Sequence, residues 1–453
     1  MNKHYFTGFI CTLFFALNLE PTHAEQKPNV IFILADDLGW AQTGAYGSHY
    51  YKTPNIDKLA KEGIRFTNAY SAAAICSPTR ASIMTGKYPA RLHLTDFIPG
   101  EASNEGKILQ QPAWQMFLPL EEITVAEVFR SKGYRTALFG KWHLSREKFG
   151  PQALPHYPDK QGFDEYFVID KPNSGDNPEA DAHKSDSIGN NSVRFIRNNT
   201  GKPFFLFASF SAIHRPLLER ADSIAGWKRA EGSGKPENNP IIAAMMARMD
   251  RNIGKILQAL DEMNLARKTM VIFCSDNGGL AADALQTPLR SGKGWLYEGG
   301  IRVPIIIRWP GVVKPGSLSH EIIGTWNFMP SFCALTGSEL PENVDGINFL
   351  PHLQEGKPLP PRAVFWHYPH YHGTGMPPGG AIRSGKWKLI EYYEKSLTNQ
   401  KEVAFELYDL ENDPGETKNL AGEKQSLQLE LASKLDGWRK QTGAQMPEVN
   451  KKP

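Results

Sequence analysis

Three apolar runs constrain the fold of this chain most, because each is apolar at nearly every position and ends abruptly in polar side chains. The runs cover residues 29–35, 204–208 and 270–274. Strands of this composition are typical of a sheet that is covered on both faces. They alternate with three segments of helical character: 53–62, 124–132 and 241–263. The pattern predicts an α/β fold, with a large and mostly parallel sheet flanked by helices.

The C-terminal part of the chain has a different pattern. Residues 379–390 and 406–410 are typical of short antiparallel strands joined by turns, and an amphipathic helix follows at 426–440. We therefore predict an α/β domain at 25–360 and a smaller α+β subdomain at 361–453. The subdomain should contain a small antiparallel sheet and a terminal helix.

The first residues predict an export signal at 1–24. Lys3 and His4 give a weakly cationic start, residues 6–19 are apolar, and Ala24 ends a small-residue cleavage site. The apolar stretch is shorter than the ~20 residues that span a bilayer, which disfavours the alternative of a membrane anchor. We expect an exported protein, periplasmic or secreted, without an integral membrane segment. Its net charge of +3, from 51 basic and 48 acidic residues, gives no reason to expect nucleic acid as a partner.

Four oxygen-bearing side chains follow two of the apolar runs. Asp36 and Asp37 come after the first run, and Asp276 and Asn277 come after the third. The carboxyl ends of parallel strands lie at one edge of a sheet, so these side chains should converge. Asp36 and Asp37 alone could equally cap a helix. Three carboxylates beside an amide favour a divalent cation, and ligands that are all oxygen suit Ca²⁺ or Mg²⁺.

Cys76 lies in surroundings that favour a reactive group. Pro78 is suited to the first turn of a helix, which places Cys76 at a helix N-terminus, where free amides attract an anion. Arg80 follows one turn later. The mature chain would keep three cysteines after loss of Cys11, so at least one of them is unpaired. Cys274 lies within an apolar run and is expected to be a buried structural thiol.

The segment C-S-P-T-R, followed by A-S-I-M-T-G at 81–86, resembles the signature of the type I sulfatases. These belong to the alkaline-phosphatase-like superfamily, and the resemblance implies that fold. It also implies that a maturation enzyme oxidises Cys76 to formylglycine. The hydrated aldehyde, a gem-diol, would attack sulfur, with Ca²⁺ bound by Asp36, Asp37, Asp276, Asn277 and the side chain at position 76.

Further segments match the same family. Residues 133–143 resemble its second signature and supply Lys141 and His143, which an extended segment would project to one side. His214 and Lys293 match residues that contact sulfate. The resemblance implies that Arg80, Lys141 and Lys293 neutralise the transferring group. His214 would be the general acid, and His143 would take a proton from the gem-diol. Residues 406–420 resemble the family's C-terminal subdomain.

The expected function is hydrolysis of a sulfate ester, with a sulfated sugar of a polysaccharide or oligosaccharide as the substrate. In the aromatic and imidazole-rich tract 366–372, His370 and His372 are candidates for binding the sugar. That tract could instead bind zinc or form a packed interdomain loop. Two other functions stay open: a phosphonate or phosphate ester hydrolase of the same superfamily, and a noncatalytic receptor for sulfated glycans.

Overall fold

The structure is a computed structural model that describes residues 1, 3–4, 27–101, 106–145, 155–169, 172, 175–398 and 404–450. The predicted export signal, and Cys11 with it, lies almost entirely outside the described residues. Among the helices that are described, none combines the length and apolar character needed to cross a bilayer.

The described strands form one large sheet and two small ones. In chain order the strands are β1 (Asn29–Ala35), β2 (Ile64–Tyr70), β3 (Leu109–Gln110), β4 (Arg135–Gly140), β5 (Glu165–Val168), β6 (Phe204–Ser209), β7 (Thr269–Ser275), β8 (Ile305–Arg308), β9 (Ser317–Gly324), β10 (Ala363–Tyr368), β11 (Gly379–Ser384), β12 (Trp387–Tyr392), β13 (Phe405–Asp409) and β14 (Glu448–Val449). The large sheet has eight strands in the order β5-β4-β6-β1-β7-β8-β2-β9. Strand β8 is antiparallel to both neighbours, and the other pairs are parallel. The predicted mostly parallel α/β sheet is confirmed.

Helices cover both faces of the large sheet. In chain order the described helices are α1 (Pro54–Glu62), α2 (Cys76–Thr85), α3 (Pro89–Leu92), α4 (Val125–Ser131), α5 (Ser185–Asn198), α6 (Ala221–Lys228), α7 (Pro240–Glu262), α8 (Glu298–Ile301), α9 (Phe328–Thr336), α10 (Leu350–Glu355), α11 (Tyr393–Ser396) and α12 (Gln425–Thr442). Of these, α11 and α12 pack against β11 and β12 instead of the large sheet. Alternate residues of β1 enter two separate cores. Phe32 packs in the core that contains α2, α4 and α9, and Ile33 packs in the core that contains α1, α5 and α7. Burial on both faces explains why β1 is apolar throughout.

Local signals in the sequence explain where several helices begin. Thr124 forms a capping box with Glu127: its hydroxyl accepts from the Glu127 amide, and the Glu127 carboxylate accepts from the Thr124 amide. Pro54 and Pro240 occupy the first positions of α1 and α7, where the missing amide hydrogen carries no cost. Such ends fix where each helix begins against the sheet.

A four-stranded antiparallel sheet, in the order β10-β11-β12-β13, lies in the C-terminal part of the chain. All four strands come after residue 360, and α12 packs against β11 and β12. The predicted small antiparallel sheet with a terminal helix is thereby confirmed, while the domain boundary at 360 stays a prediction. Strand β10 was not predicted, because its residues had been assigned to the aromatic tract at 366–372.

A buried ion cluster joins this small sheet to the segment that precedes β8. Lys388 on β12 places its ammonium 3.0 Å from Glu298 Oε1 and 2.8 Å from Glu416 Oε1, and none of the three side chains is exposed. Glu298 also accepts a hydrogen bond from the hydroxyl of Tyr70, on β2. Because Glu298 begins α8, five residues after Lys293, the cluster fixes the segment that carries Lys293.

Candidate active site

The two pairs of oxygen-bearing side chains meet at the carboxyl edge of the large sheet. Strands β1 and β7 are adjacent and parallel, with Ala35 opposite Ser275, so the residues that follow them are neighbours. The Asp37 amide donates to Asp276 Oδ1 at 3.2 Å, and Asn277 Nδ2 donates to Asp37 Oδ1 at 2.8 Å. All four predicted metal ligands of these strand ends are therefore brought together and buried.

The donor set fits a divalent cation. Oδ1 of Asp36 and Oδ1 of Asn277 are buried without a hydrogen-bond partner, which is costly for a polar atom unless something else satisfies it. The oxygens of Asp36 and Asp276 also lie within 4.8 Å of each other and of Cys76 Sγ. Burial and the neighbouring Asp36 raise the pKa of Asp276 to about 6, the expected response of carboxylates that are crowded together. A bound cation would relieve that repulsion.

Cys76 is the first residue of α2, and Ile75 caps the helix with its backbone in an extended conformation. Its side chain therefore lies where backbone amides are free and the helix dipole favours negative charge. Burial alone would raise the pKa of the Cys76 thiol, but the ammonium groups of Lys141 and Lys293 outweigh burial and hold that pKa well below its ordinary value. The sequence prediction of an anion-favouring position agrees with this geometry.

Three cations balance the three carboxylates. Arg80 donates to Asp276 Oδ2 from Nε at 2.9 Å, and its other contacts include the Lys141 carbonyl oxygen at 2.9 Å. Lys141 Nζ lies 2.7 Å from Asp36 Oδ2, and Lys293 Nζ lies 2.8 Å from Asp37 Oδ2. The lysines keep 13% and 12% of their side chains exposed, whereas Arg80 keeps 2%. The lysines are therefore open to a ligand, and Arg80 mainly holds the carboxylates.

His143 reaches the site by a route that the sequence reasoning did not foresee. Strand β4 ends at Gly140, and His143 has a left-handed backbone with φ 59°. The segment is therefore not extended at His143 as predicted, although the Lys141 and His143 side chains both lie beside Cys76. The His143 side chain nevertheless lies close enough to Cys76 for the cysteine to raise the pKa of the imidazole, against the larger lowering by burial.

The imidazole of His143 has a defined tautomer. Its Nε2 lies 2.7 Å from the Ile98 carbonyl oxygen, which only accepts hydrogen bonds, so Nε2 carries the hydrogen. Nδ1 is buried and has no other partner. Burial and the nearby Lys141 lower the pKa of His143, so the ring is neutral and Nδ1 is a free acceptor. This is the arrangement of a base.

His214 lies beside Asp37 and Cys76. Its Nδ1 lies 2.5 Å from the Arg215 carbonyl oxygen, and its Nε2 lies 3.8 Å from Asp37 Oδ2. Burial alone would lower the pKa of His214, but the charge of Asp37 outweighs burial and raises it. Of the side chain, 17% is exposed. The ring is therefore close to Asp37 and partly open to solvent.

The two histidines predicted to bind sugar differ in position. His372 is half-buried and lies against Gly294, since a Cβ on that glycine would come 2.3 Å from His372 Nδ1. It is therefore next to Lys293. His370 is fully buried, and its ring nitrogens contact the Thr95 hydroxyl and Gln111 Oε1, each at 2.8 Å. The prediction that His370 binds sugar was wrong, because no atom of its side chain is exposed.

Most of the aromatic tract around His370 is core. Trp366, His367 and Tyr368 belong to β10 and are at most 5% exposed. In this tract neither the zinc-binding alternative nor a sugar-binding rim made of all seven residues agrees with the structure. Only its last residues, from 371 onwards, come near the surface.

Sequence reasoning missed several groups that position the site. Ser209 ends β6, accepts from Arg80 at 2.8 Å and donates to the Lys141 carbonyl oxygen at 2.7 Å. His183 holds the loop on both sides of His214 by contacting the Ser211 hydroxyl and the Pro216 carbonyl oxygen. Ser209 ends an apolar run, so its position was an available signal. The carbonyl oxygens in these contacts belong to the backbone and leave no sequence signal.

The fold and the site together define a hydrolase of the alkaline-phosphatase-like class. Comparison with protein families identifies it further. The model described as Sulfatase matches residues 28–338, and the model described as N-sulphoglucosamine sulphohydrolase, C-terminal, matches residues 291–441. The chain belongs to the sulfatase family and is therefore an enzyme, a sulfuric ester hydrolase.

Similar proteins include several with stated substrates. The chain is 31% identical to human arylsulfatase A, over 88% of this chain and 84% of that protein. It is 28% identical to N-acetylgalactosamine-6-O-sulfatase of Bacteroides thetaiotaomicron, over 91% of this chain and 93% of that protein. A solved structure of Ps i-CgsB in complex with k-i-k-neocarrahexaose is 28% identical, with a TM-score of 0.76, and covers 91% of this chain and 93% of its own. Relatives of this chain thus act on or bind sulfated sugars.

Proposed function

We propose that this enzyme removes sulfate from a sulfated sugar of a polysaccharide or oligosaccharide, using a formylglycine made from Cys76 and one calcium ion. One observation carries the proposal. Position 76 lies at a helix N-terminus, within 4.8 Å of the metal-binding oxygens of Asp36 and Asp276, and Lys293 Nζ lies 3.7 Å from its sulfur. A nucleophile, a cation site and sulfate-neutralising ammonium groups would thus lie side by side.

A maturation enzyme would be the first partner of the chain. All ten residues of α2 are buried, and Cys76 is 2% exposed. An enzyme that must enclose the cysteine cannot reach it in the folded protein, so we place the conversion before folding. A formylglycine-generating enzyme should convert Cys76 in unfolded chain and leave folded chain unchanged, as mass spectrometry of the tryptic peptide would reveal. The predicted export signal would then deliver the protein to the periplasm or the medium.

The ion would be held by Asp36, Asp37, Asp276 and Asn277 together with the side chain at position 76. We favour calcium because the protein supplies oxygen ligands from four side chains, which suits its high coordination number; magnesium is the second choice. A bound ion of this kind lowers the pKa of a hydroxyl and polarises sulfate oxygens. Arg80 and Lys141 would keep Asp276 and Asp36 ionised and oriented for it.

His143 would accept a proton from the hydrated side chain at position 76. Its Nε2–H is fixed on the Ile98 carbonyl oxygen, so Nδ1 is the only free ring acceptor. Lys141 and Lys293 would neutralise the nonbridging oxygens of the sulfate, since both carry an ammonium group beside position 76 and keep part of their side chains exposed. Removing one such preorganised charge commonly costs roughly a hundredfold or more in rate.

His214 would protonate the departing sugar oxygen. Its pKa is raised by Asp37, which favours the protonated ring that a general acid requires. Its Nδ1–H is occupied by the Arg215 carbonyl oxygen, which leaves the Nε2 proton for the leaving group. Over the full cycle one ester and one water give one alcohol and one sulfate, and the enzyme returns to its initial protonation state.

His372 would contact the sugar itself. It packs against Gly294, near Phe97, with ring centroids 6.1 Å apart, and Glu101 accepts a hydrogen bond from the Gly373 amide at 2.7 Å. An imidazole, a carboxylate and an aromatic ring beside Lys293 provide the mixture of polar and apolar contacts that a sugar needs. The His372→Ala variant should lose kcat/KM on sulfated oligosaccharides while keeping it on 4-nitrophenyl sulfate.

A comparison of substrates tests the proposal against its rivals. Matured enzyme should hydrolyse 4-nitrophenyl sulfate faster than 4-nitrophenyl phosphate, and a panel of defined sulfated oligosaccharides, read by NMR, should identify the position that is cleaved. A strong preference for phosphate would favour a phosphate or phosphonate ester hydrolase. An unmodified thiol at Cys76 in protein from its native host, with no turnover, would leave a noncatalytic receptor.

A further inference from the structure

The side chains of Asp37, Cys76 and His214 form a second potential metal site within the same cavity. Each offers one donor atom, and the three donors lie within 4.8 Å of one another. Thiolate, imidazole and carboxylate are the ligands of zinc, whereas calcium takes oxygen alone. This site exists only while position 76 carries sulfur.

His214 is oriented as a metal ligand. Its Nδ1 lies 2.5 Å from the Arg215 carbonyl oxygen and carries the hydrogen, which leaves a lone pair on Nε2 when the ring is neutral. Histidines that bind metals almost always donate their other ring hydrogen in this way. Nε2 lies 3.8 Å from Asp37 Oδ2. Two donor atoms bound to the same tetrahedral zinc, with bonds of about 2.0–2.3 Å, are separated by about 3.3–3.7 Å, which is close to this distance.

One cation competes for this position. Lys293 Nζ lies 2.8 Å from Asp37 Oδ2 and 3.7 Å from Cys76 Sγ, so its ammonium contacts two of the three donors. Its side chain has a flexible stem and is 12% exposed, and binding of a divalent ion would require its ammonium to move aside. The alternative donor set of Asp36, Cys76 and Asp276 is less available to a zinc ion. Arg80 lies 2.8 Å from Asp276, and because its side chain is only 2% exposed it has little room to move away.

We propose that chain in which Cys76 is unconverted binds one zinc ion through Cys76 Sγ, His214 Nε2 and an Asp37 oxygen. Binding forms zinc–sulfur and zinc–nitrogen bonds, and any proton carried by Cys76 Sγ or His214 Nε2 leaves to solvent. Conversion of Cys76 replaces the sulfur by oxygen, so the cavity loses its zinc-type donor and keeps the oxygen set that suits calcium. Maturation would thus change the metal preference of the site. The inference concerns the unconverted chain and does not depend on the proposed sulfatase mechanism.

Cobalt(II) provides a spectroscopic test, because a thiolate bound to it absorbs in the near ultraviolet. Metal-free, full-length protein from a host without a maturation enzyme is titrated with Co²⁺, and zinc is then added in competition. We expect one cobalt per chain with a thiolate band that zinc abolishes. Cys76→Ser should lose the band, and His214→Ala should raise the Kd at least about tenfold, the size of effect seen when metal-site partners are removed. Lys293→Met should lower the Kd, because it removes the competing ammonium.

Cys333→Ser is the matched control. Cys333 is another buried free thiol, on α9, and its variant should keep the band unchanged. The proposal is overturned if the wild-type chain shows no thiolate band, if the band survives in Cys76→Ser, or if His214→Ala binds cobalt as tightly as wild type. Circular dichroism verifies the fold of each variant, and Cys76→Ala and His214→Asn replace any variant that fails to fold. Calcium-dependent turnover of matured enzyme is measured separately, so a failure of the zinc proposal can be distinguished from a failure of the proposed sulfatase function.

Discussion

The buried cluster of Lys388, Glu298 and Glu416 yields a stability prediction whose size follows from its geometry. Lys388→Met removes the ammonium that lies 2.8 Å from Glu416 and 3.0 Å from Glu298, and both carboxylates stay without exposed surface. Removing one partner of a buried ion pair costs about 3–5 kcal/mol, because the remaining charge is uncompensated. With a urea dependence of about 3 kcal/mol per molar, the unfolding midpoint should fall by about 1–2 M.

Urea unfolding of the full-length protein, followed by tryptophan fluorescence, measures this shift. Adding Glu416→Gln to Lys388→Met should recover part of the loss, because the amide needs no counter-charge and still accepts from the Glu298 amide. Lys386→Met is the matched control. Lys386 lies on the same hairpin, its ion pairs are at the surface, and its loss should leave the midpoint unchanged. An unchanged midpoint in Lys388→Met, or an equal shift in Lys386→Met, would refute the reasoning.

Three further predictions concern pH, charge and metal. Burial raises the pKa of Glu416 from 4.5 to about 7. The stability that the uncharged Glu416 contributes is therefore complete below about pH 4.5 and is lost as pH rises through about 7. Between these pH values the free energy of unfolding of Glu416→Gln, measured by denaturation, should depend less on pH than that of wild type. Lys293→Met should lower kcat on 4-nitrophenyl sulfate at least about a hundredfold, while Lys434→Met, on the exposed face of α12, should match wild type; equal rates would contradict the assigned role. A calcium chelator should abolish turnover and lower the thermal midpoint of matured enzyme, and added calcium should restore both; Asp276→Asn should show no calcium-dependent shift.

The central strands and the convergence of the four oxygen-bearing side chains were predictable because they depend on burial and on strand order. Strand β1 covers the predicted run 29–35, and β7 exceeds the run 270–274 by one residue at each end. Strands that are buried on both faces have no polar face, so their ends are visible in the sequence. Once β1 and β7 are neighbours, Asp36 and Asp276 must approach each other.

Positions set by loops and by local packing were not predictable in this way. The left-handed backbone of His143 has no glycine to signal it, so its direction could not be derived from spacing. His370 was chosen for the composition of its tract, but composition does not tell which face of a short strand or loop is covered. Trp366 donates to the Ser71 carbonyl oxygen at 2.8 Å, which turns this tract inward. Such long-range contacts appear only in the folded structure.

The oxygens of the candidate metal site come from distant parts of the chain. The hydrogen bond from the Asp37 amide to Asp276 joins residues 239 positions apart, and that from Asn277 to Asp37 joins residues 240 positions apart. A ribosome that adds about 5–20 residues per second needs about 10–40 s to make the roughly 200 residues between positions 76 and 277. During that time the cysteine has been synthesised, but Asp276 and Asn277, which complete the site, have not. The order of the strands thus provides a period in which the side chain is open to chemistry.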